Sequence, residues 1–68
     1  MISLKNKISI ITGGARGIGN AIAHMFSRLE ATVHIFDIDE TNGRRVVEEI
    51  RENGFPAFFH HCDVSDFQ

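Results

Sequence analysis

The sequence contains no tyrosine, so no chemical step that needs a phenol can be carried by these residues. A single cysteine, Cys62, excludes an internal disulfide framework and fits a reducing compartment. Nothing approaches the ~18 apolar residues that cross a bilayer. The apolar run Ile8-Ser9-Ile10-Ile11 follows Lys5 and Lys7, but it is too short for the core of a signal peptide and leads straight into glycines. An excess of charge is also lacking. A formal net charge of −2 gives no reason to expect nucleic acid or an anionic membrane as partner. The default expectation is therefore a cytoplasmic protein.

Length sets a further bound. Sixty-eight residues make at most one small domain, and a chain of this size buries only about 60% of its unfolded surface. With 43% hydrophobic and 24% charged residues, the composition is that of an ordinary globular protein and not of a disordered tail.

Apolar periodicity divides the chain into alternating elements. Lys7 to Thr12 is short and isoleucine-rich, which predicts a buried strand running into a tight turn. From Gly17 a helical period begins, with Ile18, Ile22, Met25, Phe26 and Leu29 forming one apolar stripe. Thr32 to Asp37 is a second β-branched run. A second helix follows, with Asp39, Thr41 and Asn42 as candidate caps and Val46, Val47 and Ile50 facing inward. Glu48, Glu49, Arg51 and Glu52 are expected in solvent, and Gly54 suits the position just past the helix end. After Pro56, Ala57 to Cys62 reads as a third strand. The β-α-β-α-β alternation with short links predicts an α/β fold with a parallel sheet. Ser65-Asp66-Phe67-Gln68 resembles the opening of another helix, with Ser65 as N-cap; the expectation is a truncated chain.

The chemistry-bearing feature is Thr12-Gly13-Gly14-Ala15-Arg16-Gly17-Ile18-Gly19, placed between a predicted strand and a predicted helix. Glycines tolerate positive φ and let a ligand reach the backbone. The helix N-terminus beyond them offers unpaired N–H groups and about half a positive charge, which suits a pyrophosphate. The plain alternative is a strand-to-helix turn and nothing more. Two carboxylates weigh against that. Asp37 ends the second strand 18 residues past Gly19, and an acid about 20 residues past such glycines can bond the ribose hydroxyls of an adenosine. Asp63, followed by Val64, ends the third strand, at the edge where open α/β sheets gather ligands. Each alone reads equally well as a cap or loop aspartate. Together they stand at mutually consistent spacings.

Position 22 is Ile, so the pattern is not GxGxxG but TGxxxGxG. It resembles the short-chain dehydrogenase/reductase family, as do Asp37 after the second strand and Asp63-Val64 after the third. The resemblance covers nearly the whole chain. It implies a partial Rossmann-type, doubly wound parallel sheet, truncated, with strand order 3-2-1, in which residues 1–68 are the N-terminal dinucleotide-binding portion of one domain. Gly13, Gly17 and Gly19 look like the cofactor glycines, and Ile18 like the residue whose backbone lies by the pyrophosphate and nicotinamide. Asp37 looks like the ribose reader, with Asp63 and Val64 as the adenine pocket. Arg16 is similar to a basic residue that favours the 2′-phosphate of NADP in some members. A carboxylate about 4 Å from that phosphate would repel it by a few kcal/mol at an effective dielectric of ~20. Ile38, also counted with the cofactor-binding residues, supplies no compensating cation. The expected cofactor is NAD in preference to NADP.

The family transfers hydride between a nicotinamide cofactor and an alcohol or carbonyl substrate, using a tyrosine, a lysine four residues on, and a serine. Without a tyrosine, this chain holds none of that apparatus, so no catalytic residue is expected in it, and the intact protein is expected to be a homo-oligomeric enzyme. One departure concerns Glu30-Ala31, where the family usually has Gly-Ala. Glycine favours the left-handed conformation there, so Glu30 costs roughly 1 kcal/mol. Two other readings stay open: a short non-catalytic nucleotide- or partner-binding remnant, and a methyltransferase, whose ligand lacks a pyrophosphate. His60-His61-Cys62 offers at most two convergent ligands, too few for a structural zinc, and no metal site is expected. His24 and His34 have no evident partner in the sequence.

Overall fold

The computed structural model describes residues 3–63. Five elements follow in the expected alternation: β1 (Ile8–Thr12), α1 (Gly17–Arg28), β2 (Thr32–Asp37), α2 (Glu40–Glu52) and β3 (Ala57–His61). The strands form one sheet in the order β1-β2-β3, and both pairings are parallel. Lys7 and Cys62, expected inside strands, lie just outside β1 and β3. Each still bonds to β2, through Thr32 N–H to the Lys7 carbonyl and Cys62 N–H to the Asp37 carbonyl, both 2.9 Å. The expected Val64 contact and Ser65 cap lie outside the described residues.

Register fixes which side chains share a face. Ser9, Val33 and Ala57 stand abreast, as do Ile11, Ile35 and Phe59. Because strand side chains alternate, these residues form one face, and both helices pack on it. The core comprises Ile11, Ala23, Val33, Ile35, Val46, Val47, Ile50 and Ala57, with Ile22, Phe26, Phe55 and Phe59 packed against it. Each buried Val or Ile contributes about 1.5–3 kcal/mol relative to exposure.

The helix α1 buries only part of the stripe expected of it: Ile22 and Phe26 pack against the core. Ile18 and Met25 are exposed (80% and 52%), while Ala23 and Ser27 are buried. The face turned to the sheet runs Gly19-Ala23-Ser27, with Ile22 and Phe26 beside it. Small residues there let the helix axis approach the strands closely, and Ile18 and Met25 are left outside. The helix α2 behaves as expected: Val46, Val47 and Ile50 are buried, together with Gly43. A Cβ on Gly43 would collide with the Phe59 ring, so this glycine sets how closely α2 lies on β3.

Helix ends follow their chemistry. Asp39 caps α2 by accepting from Asn42 N–H at 3.1 Å. Gly54, past the C-cap Asn53, has φ +89°, and Glu30, past the C-cap Leu29, has φ +76°. The strain expected at Glu30 is therefore present.

The second face of the sheet carries Ile10, His34 and Phe58 in one row and Thr12, Phe36 and His60 in the next. His34 does have a partner: its Nδ1 lies 2.9 Å from His60 Nε2. The ring centroids are 5.1 Å apart with planes 19° from parallel, so the two imidazoles lie side by side in nearly parallel planes. His24, on α1, reaches Glu49 of α2 at 3.4 Å, and Glu49 also pairs with Arg45. Glu49 thus joins two helices where a purely solvated residue was expected. Among the described residues no helix is long and apolar enough to cross a membrane.

Candidate functional site

The turn after β1 is built by backbone geometry. Gly13 N–H extends the ladder by bonding the Phe36 carbonyl at 2.9 Å, and the chain then turns through φ +70° at Gly13. Gly14 is buried against Ile35 and Ile11, where a Cβ would come within 2.9 Å of Ile35 Cγ2. Gly17 has φ +58° and opens α1. Gly19, within the first turn of the helix, lies so close to the glycine turn that a Cβ would strike the Gly13 carbonyl oxygen. The glycines at 13 and 17 therefore serve conformation, and those at 14 and 19 serve close approach.

The start of α1 is open. Its N-cap, Arg16, is extended and makes no side-chain capping bond, and the first turn contains no acidic residue. Among the described residues, the first N–H groups of α1 therefore have no side-chain cap, and the positive end of the helix dipole lies at the turn. This contrasts with α2, whose N-terminus is closed by Asp39.

Across from the turn, Asp37 is half-buried at the end of β2. Its Oδ2 accepts from Ala15 N–H at 3.1 Å, and its Oδ1 from Asp39 N–H at 2.9 Å. Each carboxylate oxygen keeps a further lone pair for a hydroxyl donor. Asp39 in turn receives Asn42 Nδ2 at 2.8 Å and lies 3.7 Å from Arg16 Nε. The Asn42 amide and N–H, helped by Arg16 and Arg45, hold the Asp39 carboxyl below the usual aspartate range.

The structure thus draws Gly13, Arg16, Gly17 and Gly19 together with Asp37 at the C-terminal ends of β1 and β2. Ile38 is exposed on the rim (56%), and His61 Nε2 lies 3.0 Å from its carbonyl oxygen. Ile18, near the start of α1, leaves its side chain in solvent. Asp63 is half-buried just beyond β3, one residue after the Cys62 bond to Asp37. Sequence reasoning missed Ala15, whose N–H ties the turn to Asp37, and the pairing of Asp39 with Arg16. The first leaves no trace in residue type. The second was concealed because Asp39 already reads as a helix cap. Among the described residues, no group of three or more His, Cys, Asp or Glu could hold a metal ion. A cleft between α2 and β3, lined by Arg44, Arg51 and Phe58 among others, contains none of the site residues.

Known proteins share this fold. The sequence model of the short chain dehydrogenase family matches residues 7–68. An uncharacterised oxidoreductase of Bacillus subtilis (strain 168), YxbG, is 46% identical over 63 residues, which is 93% of this chain and 23% of that protein. Among solved structures, a 7α-hydroxysteroid dehydrogenase complexed with NADH and 7-oxo glycochenodeoxycholic acid superposes with a TM-score of 0.91 at 39% identity, covering 94% of this chain and 25% of that one. A metagenomic short-chain oxidoreductase in complex with NADP gives a TM-score of 0.86 at 38% identity, covering 90% of this chain and 28% of that one. The chain therefore spans about a quarter of the length of the proteins it matches. With its glycine turn, open helix start and strand-end aspartate in the same parallel fold, this chain belongs to the short-chain dehydrogenase family.

Proposed function

We propose that this chain is the adenosine-binding part of an oxidoreductase that moves hydride between a nicotinamide dinucleotide and an alcohol or carbonyl substrate, and that the dinucleotide is NAD. The observation that carries this reading is Asp37, held by two backbone N–H groups beside the open start of α1. The residues fit such a group. A Cβ placed on Gly13 or Gly17 would meet nothing within 4 Å, so the backbone there is approachable. The N–H groups at the start of α1 would take the pyrophosphate, and the Asp37 carboxylate the ribose hydroxyls. Asp63 and Val64 would border the adenine, and Ile18 and Gly19 the path toward the nicotinamide. When bound, the dinucleotide supplies the hydride acceptor or donor.

The tyrosine, lysine and serine of the family's catalytic set would come from residues beyond these, so this chain alone is inactive on this reading. The same holds for the second helical layer of a doubly wound sheet, because both described helices cover one face. A cytoplasmic, homo-oligomeric enzyme completes the proposal.

Family membership does not choose the cofactor, since the similar structures hold NADH in one case and NADP in another. Asp37 favours NAD because a 2′-phosphate would lie against its charge. Calorimetric titration with both dinucleotides tests the choice. NAD is expected to bind at least about tenfold tighter, a difference of ~1.4 kcal/mol. Tighter binding of NADP, or binding of neither, would contradict it.

A further inference from the structure

We propose that Asp39 is a specificity-determining residue for the dinucleotide and acts through Arg16, denying that cation to a 2′-phosphate. The inference rests on the reading of the site given above and adds a residue to it. Arg16 is the side chain of the glycine turn that could neutralise a phosphate on the adenosine ribose. Its Nε instead lies 3.7 Å from Asp39 Oδ2, although 75% of its side chain is exposed and other directions are open to it.

Asp39 is well placed to hold a cation. Its backbone N–H binds Asp37 Oδ1, so it is tied to the ribose-reading residue itself. Its own carboxylate is fixed by Asn42 through two hydrogen bonds. The neighbouring arginines of α2 have carboxylate partners of their own, Arg44 with Glu40 at 2.9 Å and Arg45 with Glu49 at 3.1 Å, and Arg45 bears on Asp39 only through space. Among the described residues, Arg16 is thus the arginine beside the glycine turn, and Asp39 is the carboxylate it pairs with. Removing the charge of Asp39 would release Arg16 from that ion pair.

The substitution that tests this is Asp39→Asn. Asparagine caps a helix as well as aspartate does, so α2 keeps its N-cap while the ion pair is lost. The probes are 5′-AMP and adenosine 2′,5′-bisphosphate, which differ only in the phosphate at issue, titrated calorimetrically into the protein and its variants. Asp39→Asn is expected to improve binding of the bisphosphate relative to AMP by roughly fivefold. In an Arg16→Ala background the same substitution should leave the ratio unmoved. An unchanged ratio in Asp39→Asn, with AMP still bound, would overturn the inference alone. An equal gain in the Arg16→Ala background would overturn it too, by showing that Asp39 repels the phosphate directly. Failure of the unsubstituted protein to bind either probe would sink the dinucleotide reading and this inference with it.

Discussion

The Asp37 carboxylate accepts a hydrogen bond from Ala15 N–H at 3.1 Å, so the acid ending β2 and the turn after β1 are fixed to each other. A ribose would meet a carboxylate already oriented, and little ordering would remain to be done on binding. Asp37→Ala removes the hydroxyl acceptor and releases the turn. Hydrogen bonds to a charged group are worth ~1.5–3 kcal/mol, so affinity for NAD should fall by roughly ten- to a hundredfold. NADP should lose less, because the repulsion of its 2′-phosphate disappears at the same time. Parallel calorimetric titrations of the variant with both dinucleotides check this.

Glu30 stands at φ +76° just past the end of α1. The left-handed conformation costs an L-residue about 1–2 kcal/mol, and glycine escapes that cost. Glu30→Gly should therefore stabilise the fold by ~1 kcal/mol and raise the melting temperature by roughly 4–8 °C for a domain of this size. Thermal unfolding followed by circular dichroism provides the measurement.

The two glycines flanking Ile18 should respond differently to alanine. At Gly17 the added methyl enters open space but must sit at φ +58°, a cost of ~1–2 kcal/mol. At Gly19 it would strike the carbonyl oxygen of Gly13, and neither backbone can yield easily. Gly19→Ala should cost about 3 kcal/mol or more and push α1 off the turn. Denaturant titrations of both variants should rank Gly19→Ala well below Gly17→Ala; the reverse order would contradict the close packing described here.

Asp39 should make stability sensitive to acid. Its carboxyl is held below its ordinary value of 3.8, first by the Asn42 side chain. A lowered folded-state pKa means that the stabilisation is present above the unfolded pKa and is lost as pH falls through the folded one. Stability should therefore decline on acidification below about pH 4, and Asp39→Asn should flatten that decline. Melting curves across the acid range would show it.

The elements themselves were legible because β-branched runs and helical periods alternate cleanly, and Asp39 and Gly54 sit where helix ends need them. The glycine turn was legible too, since few folds need that spacing between a strand and a helix. The buried face of α1 was legible only in part. Apolar periodicity weights Ile18 and Met25, whereas close packing selected Gly19, Ala23 and Ser27. Pairings that depend on register also escaped the sequence, as with His34 and His60, 26 residues apart and joined only when β2 and β3 align. The Ala15 bond to Asp37 belongs to the same class, because a backbone donor has no signature in residue type.

The most direct test of the central claim is backbone amide chemical-shift mapping as NAD is added to the protein. The account predicts that the largest changes among residues 3–63 fall on Gly13 to Gly19, Asp37 to Asp39 and Asp63, with the Ala15 amide among the most affected. Changes centred on the cleft between α2 and β3, around Arg44, Arg51 and Phe58, or no saturable change at all, would contradict it.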